Sequence, residues 1–547
     1  MNIIIRHIKF TLYIIMCTAA NIYGGSFLSV PGSLSELLLI FGISSVISGK
    51  SKIWGYLANA FMCIIFSVQC LILFFSGEFL SPLMIENAGM ADNLGDNITT
   101  YSILTAAVVA VSFLPFRITE GISSTKAYKL VVSISAMVYC ATLFTGILAN
   151  GHAVSPIASL SETSFKMARK RVFPLNYRNA DRKDIMEFFH RDSISTGFRD
   201  CSTLAKMPNI IVIFTEGLSA EVLDSYNNLG LNLTPNIESL RSESLSFENY
   251  FNHTAATFRG IRGQLYSGYQ YRGGYGSHSN KGFAEIDHNS IRDKTEVEIN
   301  SITDILEGNG YNTCFINPEP EHSATVNYIK TLGFNNVFPS EGNRKLSDKE
   351  AFSELERCIA SSREPYFVGF YNIGTHHGFD SPDEKFGNGK NPILNRWKNY
   401  DTQFGKWFRR MKDKGVFENT LLIFTTDHAS YNSPEWKSTF KSSQDSFIAR
   451  IPLLIYGAGI KPGCIDASGR NSLDLAPTLL DILGLDKTPN WFLGSSLFSK
   501  PETIYDRFCA IGDDFFRITD NHAISIRHKY RNIISEIKKY YLISLNE

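Results

Sequence analysis

The sequence predicts a protein in two parts: an N-terminal multi-span α-helical membrane domain, then an α/β domain with a mostly parallel central sheet flanked by helices. Three observations lead there. Apolar residues are concentrated in the first 150 of 547 positions. From residue 209, continuous apolar runs of strand length alternate with amphipathic helical segments, the pattern of strands covered by helices on both faces. Acids and histidines stand at the ends of several runs, the edge where ligands bind in such sheets.

The length allows two or three domains. The 53 basic and 53 acidic residues cancel, so no overall field favours a nucleic-acid partner. Hydrophobic stretches run from about Phe10 to Leu28, Leu34 to Ile47, Tyr56 to Phe75, Tyr101 to Phe116 and Leu130 to Leu148. A bilayer core takes roughly 20 apolar residues per helix, and somewhat fewer when flanking residues help. About five spans are therefore expected in residues 1–150. The first stretch reads as a span rather than a cleaved signal, because another hydrophobic stretch follows at once without a clear small-residue cleavage site.

Positive charge orients the spans. Arg6 and Lys9 precede the first, Lys50 and Lys52 follow the second, and Arg117, Lys126 and Lys129 lie between the fourth and fifth, whereas residues 29–33 and 77–100 hold no Lys or Arg. Lys and Arg mark cytoplasmic loops. The N-terminus is thus expected in the cytoplasm and everything after about residue 150 outside it. Cys17, Cys63, Cys70 and Cys140 fall in the expected spans, and Cys201, Cys314, Cys358, Cys464 and Cys509 in the exported part. Five is odd and no CxxC occurs, so sequence supplies no bridge pattern.

Residues 151–206 are polar and rich in Ser, Lys and Arg, including "KMARKRVF", and read as a juxtamembrane linker. Residues 207–500 read as the extracytoplasmic domain and 501–547 as a C-terminal extension packed on it. Strands are expected at "NIIVIFTE", "TCFINP", "PYFVGFYNIG", "TLLIFTTDH" and "IPLLIYGAG", with helices at "SITDILEGNGY", "DKEAFSELERCIASS", "YDTQFGKWFRRMKDKG" and "NSLDLAPTLLDILGL". There is no tandem repeat, Walker loop or dinucleotide fingerprint, and the glycines of "YRGGYGSHS" (271–279) read as a loop.

At the strand ends stand Glu216, His376 with His377, and Asp427 with His428. Each alone has a structural explanation, such as a helix cap. Together on one rim they are the ligand types of a divalent metal such as Zn or Mn, with Mg as a third candidate. That rim also gives a role to "NHTAATFRGIRGQLYSGY" (252–269), which gathers Thr254, Thr257, Arg259 and Arg262. A nearby cation lowers the pKa of a hydroxyl and makes threonine a usable nucleophile. Arginine or histidine beside it stabilises charge on a phosphoryl or sulfuryl group.

The order "NIIVIFTEG", threonine loop, "THHG", "TTDH" and "SLDLAPTLLDILG" resembles the alkaline phosphatase and sulfatase superfamily. It is most similar to the membrane-anchored branch of lipoteichoic acid synthases, phosphoglycerol transferases and lipopolysaccharide phosphoethanolamine transferases. "GYNTCFINP", "IKTLGFNNVF", "NYDTQFGKWF", "IPLLIYGAG" and "FLGSSLF" follow in that branch's order, so the resemblance covers essentially the whole chain.

The resemblance implies a sulfatase-type, alkaline-phosphatase-like catalytic domain in a multi-pass protein of the bacterial cytoplasmic (inner) membrane, facing the periplasmic or extracytoplasmic side. It implies Glu216, Asp427, His428 and Thr257 as metal ligands, Thr257 as nucleophile with Thr254 as the alternative, and His377 or His376 as a phosphate-binding histidine. Arg259 and Arg262 are candidates for orienting the phosphoryl oxygens or for anchoring the loop. The implied reaction moves a headgroup phosphate from a phospholipid, phosphatidylglycerol or phosphatidylethanolamine, through a phospho-threonine to a hydroxyl of an envelope glycan or lipopolysaccharide. Phosphoglycerol is favoured, because "DLAPTLLDILGL" and "TTDHA" look closer to that branch; the alternatives are a phosphoethanolamine transferase, an inactive scaffold and a sulfatase-like hydrolase. "HTAATFRG" departs from the family's usual nucleophile loop, and "TFRGIRG" lacks the Cys/Ser and proline of the Cys/Ser-x-Pro-x-Arg motif, which disfavours sulfate ester hydrolysis.

Overall fold

The computed structural model describes residues 2–24, 29–86, 98–116, 126–149, 153–172, 182–198, 207–270, 299–526 and 530–543. Cys201 and the glycine-rich 271–279 stretch lie outside them. The chain forms two compact units. The first holds the described residues up to 172 together with 432–439, and the second holds 182–431 and 440–543 apart from that segment. Residues 432–439 therefore leave the span expected of the catalytic domain and belong to the helical unit.

In the first unit, Ser29–Lys50, Lys52–Ser76 and Lys129–Leu148 are long and apolar enough to cross a membrane. The other two expected spans form shorter apolar helices, Ile8–Tyr23 and Ile98–Ser112. Tyr13, Cys17, Leu37, Phe41, Cys63, Phe66 and Leu73 pack together as this unit's core. Two buried charges inside it are satisfied. The Lys9 ammonium donates to Asn59 Oδ1 at 2.7 Å and the Ser112 carbonyl at 2.6 Å. Glu36 accepts from Tyr139 and Ser155 hydroxyls at 2.8 and 2.9 Å and from the Ile157 and Ala158 amides at 2.9 and 3.1 Å. Those amides open the helix Pro156–Val172, so a carboxylate meets helix N–H groups that lack intrahelical partners.

The second unit is built on an eight-stranded sheet in the order β4-β3-β5-β1-β6-β7-β2-β8. The strands are β1 Asn209–Thr215, β2 Leu245–Phe251, β3 Asn312–Pro320, β4 Asn336–Ser340, β5 Tyr366–Tyr371, β6 Thr420–Thr426, β7 Leu454–Tyr456 and β8 Gly463–Asn471. The pairs β4–β3, β3–β5, β5–β1, β1–β6 and β2–β8 are parallel; β7 is antiparallel to β6 and to β2. Every residue of β1, β5 and β6 is buried, as central parallel strands require. The five strands read from sequence are all present. Three others carry weaker signals: β4 and β8 are edge strands with exposed polar positions, and β2 is interrupted between Glu248 and Tyr250, where Asn249 takes a φ of 57°.

Helices cover the sheet where their apolar faces allow. Pro392–Asp413 buries Trp397, Tyr400, Phe404 and Trp407, and Asp348–Ser361 starts at a capping box of Ser347 and Glu350. After residue 501 the chain adds an antiparallel sheet of β9 Phe508–Ile511, β10 Asp514–Thr519 and β11 His522–Ile526, then a helix Arg531–Ile543.

Candidate active site

Strand register assembles the site. Thr215 of β1 pairs with Thr426 of β6, which sets Glu216 beside Asp427; Phe214 of β1 pairs with Tyr371 of β5, which brings the His376–His377 turn to the same edge. The three strands are neighbours. Residues more than 150 positions apart thus share one rim.

Glu216, Asp427 and His428 each offer a ligand atom, and these atoms lie within 4.8 Å of one another. His428 Nε2 is 3.6 Å from Glu216 Oε1 and 3.4 Å from Asp427 Oδ2. His428 Nδ1 faces the Ala429 carbonyl at 2.7 Å, which holds the tautomer with a free Nε2. Asp427 Oδ1 accepts from the Gly217 and His428 amides at 2.9 and 2.7 Å, while its buried Oδ2 has no hydrogen-bond partner. A buried, unpartnered carboxylate oxygen facing a second carboxylate and an imidazole nitrogen fits a divalent cation.

The electrostatics agree. Burial and the Glu216 charge raise the Asp427 carboxyl to about 7. Burial also works against ionised Glu216, but His428, His376 and the Tyr371 hydrogen bond outweigh it and hold its pKa below the ordinary value. Burial disfavours charge on His428, yet Asp427 and Glu216 raise its pKa.

Thr257 is the first residue of the helix Thr257–Tyr266 and half-buried. Its hydroxyl donates to Glu216 Oε2 at 3.0 Å. The residue before it, Ala256, has φ 74° and ψ 136°, a conformation unfavourable to a residue with a Cβ and of the strained kind that clusters at functional sites. Gly260 lets the helix approach: a Cβ there would stand 2.0 Å from the Asp427 carbonyl oxygen. Gln264 Nε2 then donates to the Thr426 carbonyl at 2.8 Å. Thr254 is placed elsewhere, its buried hydroxyl donating to the Ala510 carbonyl at 2.7 Å.

The histidines differ. His376 lies within electrostatic reach of Glu216 and His428, and burial lowers its pKa despite the Glu216 charge. The His377 ring meets Tyr431 edge-on at 5.0 Å, and desolvation with the Arg396 and His376 charges pushes it down to about 3. Both arginines are buried. Arg259 Nε donates to the Ala255 carbonyl at 2.8 Å and its charge reaches His428. The Arg262 guanidinium lies 4.5 Å from the Tyr266 ring centroid and acts on Tyr540, and no described contact ties it to the ligand cluster.

Sequence reasoning missed the groups that hold Glu216. Tyr371 donates to its Oε2 at 2.5 Å, Asn372 Oδ1 accepts from its amide at 3.0 Å, and Thr375 donates to its carbonyl at 2.7 Å. Asn372 in turn donates to the buried carboxylate of Asp348 at 3.1 Å, which also accepts from Asn399 at 3.0 Å. The signal for Tyr371 and Asn372 was their place at the end of β5. Asp348 resembled an ordinary first-turn acid of a helix.

A profile of the sulfatase family matches residues 208–485, just over half of the chain. Lipoteichoic acid synthase 1 of Bacillus subtilis is 21% identical over 539 residues, covering 86% of this chain and 81% of that protein. Lipoteichoic acid synthase 2 of the same organism is 22% identical over 324 residues, or 54% of this chain and 48% of that protein. The match to synthase 2 spans about half of its length. A solved structure of an alkaline phosphatase superfamily protein from Vibrio parahaemolyticus aligns with a TM-score of 0.50 and 18% identity, over 67% of this chain and 96% of that one, and shares the fold. The matched segment includes the whole Glu216, Thr257, Asp427 and His428 constellation, and the chain belongs to the sulfatase family of enzymes.

Proposed function

We propose that this enzyme transfers phosphoglycerol from phosphatidylglycerol to a hydroxyl of a cell-envelope polymer through a phospho-threonine at Thr257. One observation carries the reading: the half-exposed Thr257 hydroxyl sits 3.0 Å from Glu216, inside the only group of three potential metal ligands among the described residues. The named relatives are lipoteichoic acid synthases, the branch the motifs resemble, which favours phosphoglycerol over phosphoethanolamine. The apolar N-terminal helices suit a lipid donor, with the catalytic unit on the extracytoplasmic face.

Glu216, Asp427 and His428 would hold the divalent cation together with Thr257. When bound, that ion lowers the pKa of the threonine hydroxyl and offsets phosphoryl charge. Tyr371 and Asn372 keep Glu216 aimed at Thr257, and Glu216 Oε2 receives the hydroxyl hydrogen. The Thr257 oxygen attacks phosphorus in line, the bond to the diacylglycerol oxygen breaks, and diacylglycerol leaves as the alcohol after taking up a proton. His376 or His377 stands at the rim to bind the phosphoryl oxygens, and Arg259 adds positive charge near His428. In the second step the oxygen of an acceptor hydroxyl attacks the same phosphorus, the bond from phosphorus to the Thr257 oxygen breaks, and the proton lost by the acceptor restores the Thr257 hydroxyl.

The test is intact-mass spectrometry of the protein after incubation with phosphatidylglycerol or phosphatidylethanolamine and Mn or Zn, with peptide mapping of residues 250–275. A glycerophosphate adduct on Thr257 is the expected result. A phosphoethanolamine adduct would change the donor, an adduct on Thr254 would move the nucleophile, and no adduct on metal-loaded protein would remove the covalent mechanism.

A further inference from the structure

Among the described residues, the second unit holds one close pair of thiols that the site does not use. Cys314 lies on β3 and Cys358 near the end of the helix Asp348–Ser361, both buried. Their sulfurs are 2.9 Å apart, well inside the roughly 3.5–4.0 Å of ordinary packing and within about 1 Å of a bond length of about 2.05 Å. The helix is already packed on β3, so closing the gap asks for side-chain movement and no rearrangement of the fold.

We infer that Cys314 and Cys358 form an intramolecular disulfide in the mature protein, resting on the extracytoplasmic placement of this unit proposed above. Thiols persist in the cytoplasm, whereas such a pair oxidises outside it. The step is an exchange with the disulfide of a dithiol oxidoreductase. One cysteine thiolate attacks a sulfur of that disulfide, forming a mixed disulfide and releasing the first partner thiol. The other cysteine then attacks the mixed disulfide, closing the Cys314–Cys358 bond and releasing the second partner thiol; two electrons and two protons pass to the partner. Cys358 suits the attacking role, since its contacts with Cys314 and Ser362 hold its thiol below the ordinary range while Cys314 is raised.

The bond would have a purpose beyond closing a loop. The helix that bears Cys358 begins at Asp348, whose carboxylate holds Asn372, which holds the backbone of Glu216. A covalent tie from that helix to β3 fixes the rear support of the ligand cluster.

The test uses the full chain in its membrane. Cells are lysed into denaturant with N-ethylmaleimide, and the protein is digested without reduction. A single cross-linked peptide pair containing Cys314 and Cys358, two mass units below the sum of the thiol peptides, is expected. Recovery of both cysteines as maleimide adducts would overturn the inference. A membrane-impermeant maleimide applied to spheroplasts reads exposed Cys464 in parallel: labelled Cys464 with alkylated Cys314 and Cys358 removes the disulfide alone, while protected Cys464 with both alkylated removes the orientation and the disulfide together. In the purified protein, Cys314→Ala, Cys358→Ala and the double variant should each melt roughly 5–10 °C lower than the oxidised parent. The double variant should be no worse than either single one, and dithiothreitol should lower only the parent. A parent whose melting is indifferent to dithiothreitol would also count against the bond.

Discussion

Two threonines three positions apart meet different fates, and the difference is measurable. Thr257 donates to the Glu216 carboxylate and Thr254 to the Ala510 carbonyl. Thr257→Ala is expected to abolish the covalent adduct and lower turnover by about 10⁴-fold or more, with Thr257→Ser restoring part of it. Thr254→Ala should keep the adduct and lose about 1 kcal/mol of stability, the worth of one buried hydrogen bond. Activity that survives Thr257→Ala would move the nucleophile. Tyr371 offers a second test: Tyr371→Phe removes a donor to a buried charge, worth about 1.5–3 kcal/mol. Metal affinity should fall about tenfold to a hundredfold, measured by calorimetric titration; an unchanged affinity would mean that Glu216 needs no such support.

The helix Thr257–Tyr266 and the end of β6 work as one piece, because glycine at 260 allows contact with the Asp427 carbonyl that a Cβ would block at 2.0 Å. Gly260→Ala should destabilise the protein by more than about 2 kcal/mol and reduce bound metal. A variant of parental melting temperature and metal content would show that the helix can retreat. The central strands of this assembly were readable because continuous apolar runs leave few alternatives to burial. The strands β2, β4 and β8 were not, because half-exposed polar strands carry little periodic signal and gain their place from neighbours. The ligand types were readable at strand ends, whereas the Asp348–Asn372–Glu216 chain links three distant segments and exists only once β1 and β5 pair.

Over the whole molecule, the proposed metal binding would be linked to folding through Asp427. Its carboxyl titrates at about 7 in the metal-free fold, against about 3.9 when unfolded. The metal-free fold therefore holds a proton between about pH 4 and 7 that the unfolded chain has released, and loses stability as pH rises through that window. The raised pKa of His428 acts with the same sign. A cation removes the repulsion, so the rise in melting temperature on adding Mn or Zn should be larger at pH 8 than at pH 5.5. Apparent affinity should fall at least tenfold per pH unit below 7. Equal shifts at both pH values would show that Asp427 is not a ligand.

Taken by itself, the sequence determined the apolar helices, the buried parallel strands and the residue types at their ends, since hydrophobic burial and strand period act locally. It carried no sign that Thr257 reaches Glu216 while Thr254 reaches the Ala510 carbonyl, or that Cys314 and Cys358 meet. Those were decisions of tertiary structure: strand register and close helix packing set distances between side chains far apart in the chain, and no local preference encodes a distance of that kind.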